Sequence, residues 1–334
     1  MFDNETMQAI QLLQSGPEFD LQQVSMPIPE ITSNELLIEI DYVALNDLDA
    51  KLARDGFNAW QFPHILGVDA VGTVVKANKG VFPLPGTRVL FNSCLACQGL
   101  LKQYAVIPSH AVTIIPDNVA SEVAAVLPSA GMSTLIALSK LNLSSSDEVL
   151  AIHCAGGDVG HFAIQYAKKK GVEVCALAPK SHHDRLLSLG ANYVFDPDEK
   201  DFTKQVERQM GEAQFDCILN TMGGDSLNWD LKHLRFAGRI ACLSGFESID
   251  SNLLIEKSPT IGVVSVTGAW LTKSLCAQQH LGLMSQTLLA DIAKAEIRSP
   301  QVKVVEFSTA AIQASLTALL EKVSAERFVV KVKS

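Results

Sequence analysis

The sequence predicts an α/β fold in two domains, and three observations carry that reading. The stretch 147–180 reads as a strand, a glycine-bearing turn, a helix and a second strand. Short strands and turns fill the chain up to about Leu127, and regular β-α alternation follows, which marks a change of domain. The chain has 334 residues, more than the roughly 250–300 that a single hydrophobic core serves.

The central unit opens with an apolar run, 149–154, short enough for a buried strand. The turn AGGDVG follows, from Ala155 to Gly160. A helical segment then carries Phe162, Ala163, Tyr166 and Ala167 at helical spacing and ends in Lys168, Lys169 and Lys170 before Gly171. Cations suit the negative end of the helix dipole, and glycine suits the stop. The apolar run 172–178 completes a β-α-β unit.

The chemistry of this unit is anion binding. Gly157 lets the backbone approach a pyrophosphate, and Gly160 lets the helix pack closely on the strand. Free N–H groups at the helix start, from Val159 onward, face the anion. Ala155 stands at the first position of the usual three-glycine fingerprint. A loose glycine pattern also fits an ordinary tight turn; the strand before it and the helix and strand after it favour a cofactor.

Upstream, 35–45 and 70–77 are strand-like, with β-branched residues and partial alternation. Pro83, Pro85 and Gly86 punctuate before RVLF, and 104–116 reads as two strands broken by Pro108. Downstream, the alternation predicts helices over 183–189, 201–210 and 227–234, with strands at 193–196, 215–222 and 239–244. A last strand of that sheet is predicted from Ile261, then helices over 286–295 and 310–323 and a closing strand, RFVVKV.

Apolar residues make up 48% and charged residues 19%, a composition able to bury a core. A net charge of -9 argues against nucleic acid as a partner and offers no attraction to anionic membranes. No apolar run approaches the ~20 residues of a membrane span. The acidic N-terminus is unlike a signal peptide, so a cytoplasmic protein is expected. Of seven cysteines, Cys154, Cys175, Cys217 and Cys242 sit in apolar runs and read as buried reduced thiols.

The segments ALNDLDAKLARDG (44–56), ILGVDAVGTV (65–74), PGTRV (85–89), LPSAGMST (127–134), AGGDVG and LGANYVFD (189–196) together resemble the medium-chain dehydrogenase/reductase superfamily, in its zinc-free quinone oxidoreductase (zeta-crystallin-like) branch. The resemblance implies a GroES-like β-barrel catalytic domain, 1–127 completed by 269–334. A doubly wound, parallel-sheet Rossmann domain, 128–268, is inserted in it, with the active site in the cleft. It also implies a homodimer joined through Rossmann sheet edges, for which 263–266 is the candidate strand.

Zinc-dependent members place a cysteine where this chain has Asn46, and a His-Glu pair where it has Val68 and Asp69. Valine has no lone pair and asparagine is a poor zinc ligand, so no catalytic zinc is expected. Cys94 and Cys97 form a C-x-x-C in the region of the family's structural zinc lobe, which needs four cysteines. That pair stays open between a metal, a redox disulfide and plain loop thiols.

NAD-preferring folds end the second strand with an acid, which is absent here, since CALAPK ends in Pro179. Lys180 resembles the basic residue with which relatives hold the 2′-phosphate of NADP, with Ser181 and His182 as helpers, so NADPH is the expected cofactor. Asp158 departs from the family's small residue: it points to solvent, caps the helix from Val159, or occupies the anion site. Further cofactor contacts are expected from Ser133, Thr221, Gly223, Ser244, Gly245 and Phe246.

The expected reaction is hydride transfer from NADPH to a quinone or an α,β-unsaturated carbonyl, whose conjugation delocalises the incoming charge without a Lewis acid. By resemblance Asn46 faces the nicotinamide, and Asp49 and Lys51 match an N-x-x-D-x-K pattern found in a subset of relatives. Lys51 is the candidate hydrogen-bond donor to an enolate or an anchor of its loop, and Asp49 a functional or a loop-capping acid. His64, His153 and His280 match no family role and read as structural. The alternatives are a crystallin-like NADPH-binding protein without turnover, motivated by Asp158 and the altered Glu326-Arg327 start of the last strand, and, more distantly, a zinc-type alcohol dehydrogenase.

Overall fold

The structure, a computed structural model, describes residues 5–143, 148–210, 215–245, 249–321 and 326–333. The chain divides into two compact units, one of Met1–Ser129 with Val266–Ser334, the other of Ala130–Ser265. Among the described residues, no helix is long and apolar enough to cross a membrane.

The second unit is built on a six-stranded sheet whose strands lie in the order Tyr193–Phe195, Glu173–Leu177, Val149–Ile152, Phe215–Asn220, Leu234–Cys242, Thr260–Val263. Every pairing is parallel. Counted along the chain this is the 3-2-1-4-5-6 order of a Rossmann sheet, and the order reverses between Val149–Ile152 and Phe215–Asn220. Leu150, Ala151 and Ile152 are fully buried, as a strand covered on both faces requires. Helix Asp158–Lys169 buries Phe162, Ala163, Ile164, Tyr166 and Ala167. Helix His183–Leu189 stops at Gly190, whose φ of 116° suits glycine.

Three sequence readings are corrected in detail. The strand expected over 215–222 ends at Asn220, because the Asn220 side-chain carbonyl accepts the N–H groups of Met222 and Gly223 at 2.9 and 2.8 Å and turns the chain. The helix expected over 286–295 runs from Leu275 to Ala293; Leu275 and Leu283 are exposed, which blurs the apolar stripe of its first half. Cys154, expected to be buried, is exposed, because the strand has ended and Cys154 enters the turn with φ 46°.

In the first unit, a seven-stranded sheet runs Val302–Glu306, Arg327–Lys331, Glu35–Ala44, Asp69–Ala77, Arg88–Asn92, Val112–Ile114, with Tyr104–Pro108 also paired to Glu35–Ala44. The closing strand returns to this sheet, placing Val330 opposite Val43. Register shifts in Glu35–Ala44 at Leu37/Ile38 and Ile40/Tyr42 bend the strand that pairs most widely. A smaller sheet pairs Thr6–Leu12 with Leu21–Pro27 and His64–Ile65. Ile10, Leu36, Ile38, Ile40, Phe91 and Val330 lie in the core of this unit.

Candidate functional site

In the second unit the turn between strand Val149–Ile152 and helix Asp158–Lys169 sits where the sheet order reverses. The first backbone bond of the helix runs from the His161 N–H to the Gly157 carbonyl at 2.9 Å. The N–H groups of Val159 and Gly160 precede that bond and have no carbonyl of the helix ahead of them, so they point out of its start. A Cβ at Gly160 would overlap the backbone of buried Ala155, so the helix lies hard against the end of the strand. A Cβ at Gly157 would meet only the Cys154 carbonyl, at 3.4 Å, which leaves the outer face of the turn open. This cradle fits a linked pair of phosphates. Asp158 is the first helical residue and Gly157 the N-cap, which corrects the expectation that Asp158 caps. A carboxylate in a first turn is favoured by the helix dipole.

Sequence reasoning missed Arg185. Arg185, in helix His183–Leu189, donates to the Gly156 carbonyl at 2.5 Å and reaches Nδ1 of His161 and of His182, each at 3.4 Å. A Cβ at Gly156 would come within 2.8 Å of the His182 ring, so glycine there makes room for histidine. Arg185 lies 29 residues beyond Gly156, and only the β-α-β crossover brings them together.

Lys180 is otherwise engaged. Its ammonium bonds the Glu199 carboxylate at 3.0 Å, which raises its pKa, and its N–H donates to Asp196 at 2.9 Å. The Lys180 side chain is 77% exposed, and Ser181 is exposed beside it.

Thr221, Gly223, Ser244 and Gly245 gather at the ends of strands Phe215–Asn220 and Leu234–Cys242. Thr221 donates its hydroxyl to the His153 carbonyl at 2.9 Å, and Ser244 donates to the Thr221 carbonyl at 3.2 Å. Gly223 has φ 74°, and a Cβ there would lie 2.6 Å from that of Ser244. The Gly245 carbonyl accepts from the Gly224 N–H at 3.4 Å. Phe246 lies outside the described residues. Ser133 is half-buried on helix Pro128–Leu141, but the residue tying that helix to the turn is its neighbour Thr134, whose hydroxyl reaches the Val159 carbonyl at 3.1 Å. Behind the turn, His153 Nε2 lies 2.6 Å from Asp230 Oδ1, off the line of a straight hydrogen bond, and Asn220 donates to the other oxygen of Asp230 at 2.5 Å.

In the first unit the candidate catalytic residues belong to a buried carboxylate network. Asn46 opens helix Asp47–Asp55, its N–H donating to Asp49 at 2.8 Å and its side-chain amide to Asp69 at 3.0 Å. Asp69 also accepts from the Asn92 amide at 2.6 Å and the Ser129 N–H at 3.1 Å, and Trp270 donates to Asn92 at 3.0 Å. Asp49 accepts a second bond, from the Gly67 N–H at 3.2 Å. Burial raises the pKa of both acids; that of Asp49 is pushed up to about 7, with the Asp69 charge adding to burial. Asp49 is thus tied to backbone on both oxygens, while Lys51 is exposed. The donor set does not fit zinc: Val68 has no ligand atom and the Asn46 amide is spent on Asp69. Among the described residues no group of three or more His, Cys, Asp or Glu could hold a metal. His64, buried, stacks on Trp60 with ring centroids 4.1 Å apart, and His280 is exposed.

Two family models match the chain: the alcohol dehydrogenase GroES-like domain over residues 32–117 and the zinc-binding dehydrogenase over 159–286. A trans-enoyl reductase of Aspergillus terreus is 32% identical over 53% of this chain and 65% of its own. A chloroplastic quinone-oxidoreductase homolog of Spinacia oleracea is 32% identical over 57% of this chain and 61% of its own. The match thus spans less than two thirds of the length of these relatives. In fold, the chain superposes on the quinone oxidoreductase of Coxiella burnetii with a TM-score of 0.84, at 24% identity, over 98% of this chain and 100% of the other.

Proposed function

Because the chain belongs to the medium-chain dehydrogenase/reductase superfamily, in its quinone oxidoreductase branch, we propose that it is an NADPH-dependent oxidoreductase reducing quinones or α,β-unsaturated carbonyls without metal. The observation that carries this reading is the turn itself: Gly157 open on its outer face, Gly160 pressed on Ala155, and Arg185 bonded to Gly156. A bound reduced nicotinamide supplies the hydride.

The residues that would hold it are the backbone of 157–160, with Thr221, Gly223, Ser244 and Gly245 at the neighbouring strand ends and Ser133 as a further contact. NADPH is preferred over NADH because no acid ends the strand Glu173–Leu177 and because Arg185 lies beside His182 just beyond that strand, where the 2′-phosphate is read. Arg185, with His182, is the cation directed there, since Lys180 answers to Glu199. In the first unit Asp69 and Asp49 fix Asn46 and the helix that carries Lys51, and the exposed Lys51 ammonium is the donor we assign to the enolate that hydride addition forms.

The trans-enoyl reductase among the relatives and the chloroplastic quinone-oxidoreductase homolog support an electron-poor conjugated acceptor. A homodimer through the sheet edge belongs to the same proposal, as does a cytoplasmic location; the edge strand is Thr260–Val263 and not the 263–266 expected from the sequence, since Val264 and Val266 are buried beyond its end while Val263 is 53% exposed.

The test is NADPH oxidation, followed by its absorbance, against a panel of quinones, enones and aldehydes. Turnover with quinones or enones and none with simple aldehydes is expected. A second reading has its own observation, the Asp158 carboxylate in the first turn of the cradle helix. Saturable NADPH binding with no acceptor reduced would favour that reading, a nucleotide-binding protein without turnover. No binding at all would overturn both.

A further inference from the structure

Outside the site just described, the first unit carries a C-x-x-C pair that nothing in the hydride chemistry uses. Cys94 and Cys97 are the ends of a turn that follows strand Arg88–Asn92, closed by a bond from the Cys97 N–H to the Cys94 carbonyl at 3.1 Å. A turn of this kind brings its end Cα atoms within ~7 Å, overlapping the ~4.4–6.8 Å that a disulfide spans. The Cys94 thiol acts on that of Cys97 and raises its pKa. Both reach solvent, Cys97 exposed and Cys94 half-buried. The turn is held from outside: buried Trp60 donates its indole N–H to the Leu95 carbonyl at 2.7 Å. Two cations, Lys102 and Lys273, act on the Cys97 thiol.

We propose that Cys94 and Cys97 are a thiol-redox site, which closes to an intramolecular disulfide when the protein meets a peroxide. Cys94 attacks first, because burial, with Cys94 adding to it, pushes the Cys97 pKa up to about 11 and keeps Cys97 a thiol. The Cys94 sulfur bonds to one peroxide oxygen, the O–O bond breaks, and the departing oxygen leaves as water with the Cys94 proton, giving a sulfenic acid. The Cys97 sulfur then bonds to the Cys94 sulfur, the S–O bond breaks, and a second water leaves with the Cys97 proton. Two thiols are oxidised and one peroxide is reduced.

The test uses the full chain. Reduced protein is treated with hydrogen peroxide, its remaining thiols are alkylated, and the tryptic peptide spanning 89–102, which holds both cysteines and no other, is weighed. We expect this peptide to lose two hydrogens, to escape alkylation at both positions, and to recover both on reduction with dithiothreitol. In Cys97→Ser, Cys94 should stop at the sulfenic acid and be captured by dimedone; in Cys94→Ser, Cys97 should capture several-fold less. Cys154 and Cys276, also exposed, serve as internal controls. The proposal fails if the peptide stays fully alkylatable while Cys154 or Cys276 oxidises. It fails equally if Cys97 is the sulfur that dimedone captures.

Discussion

Arg185 lays its guanidinium on the carbonyl oxygen of Gly156 at 2.5 Å, joining the helix after the second strand of the parallel sheet to the turn after the first. A carbonyl satisfies only part of a guanidinium, which has five N–H donors, and its remaining donors lie with His161 and His182 around the cradle. The cationic face of the turn is therefore built by a residue that no glycine motif contains.

Arg185→Ala should weaken NADPH binding by roughly 10- to 100-fold, the worth of a hydrogen bond to a charged group. NADH binding should change by no more than about twofold, because the lost contact is with the 2′-phosphate. Lys180→Ala should have the smaller effect, its ammonium being exposed and already paired with Glu199. Fluorescence titration of both variants with both nucleotides checks this; equal losses for NADPH and NADH would remove Arg185 from the phosphate.

Gly160→Ala should lower stability by about 1–3 kcal/mol, the usual cost of forcing a methyl group into packed backbone. The helix start would move off Ala155, and NADPH affinity should fall with it. Urea unfolding and nucleotide titration of the same preparation separate the two effects. Gly157→Ala, where a Cβ meets one atom at 3.4 Å, should spare stability and weaken only the nucleotide.

Asp69→Ala strands three donors that the carboxylate now accepts: the Asn46 amide, the Asn92 amide and the Ser129 N–H. A loss on the order of 3 kcal/mol is expected in a urea titration, since buried unsatisfied donors cost about 1–3 kcal/mol each and part of the cavity fills with water. Asp69→Asn should be milder, because its side-chain oxygen still accepts.

Asp49 makes stability depend on pH. Its native pKa is raised from 3.8 to about 7, so the folded state binds the proton more tightly than the unfolded chain. Stability from this group is greatest below the unfolded pKa and is lost as pH rises through the folded value. The urea midpoint should therefore fall between about pH 4 and pH 7, and Asp49→Asn should flatten that slope even while lowering the midpoint overall. The raised pKa of Asp69 acts in the same direction.

Much of the second unit was legible in its sequence. Buried parallel strands write themselves as unbroken apolar runs, and helix His183–Leu189 carries its own stop in Gly190. The strands Thr6–Leu12 and Leu21–Pro27 were not identified, because Gln8, Gln11, Gln22 and Gln23 dilute the alternation that marks a strand. The helix Leu275–Ala293 was half seen for a related reason: exposed leucines spoil the contrast between its faces.

By itself, then, the sequence determined the local grammar: which runs form strands and where a glycine turn feeds a helix. Those features depend on neighbours a few residues apart. Only the tertiary structure decided that Arg185 bonds the Gly156 carbonyl while Lys180 pairs with Glu199, that Asp69 gathers Asn46, Asn92 and Ser129, and that burial raises the pKa of Asp49. Burial and charge pairing act through space, between residues tens of positions apart, and no pattern along the chain records which of them will meet.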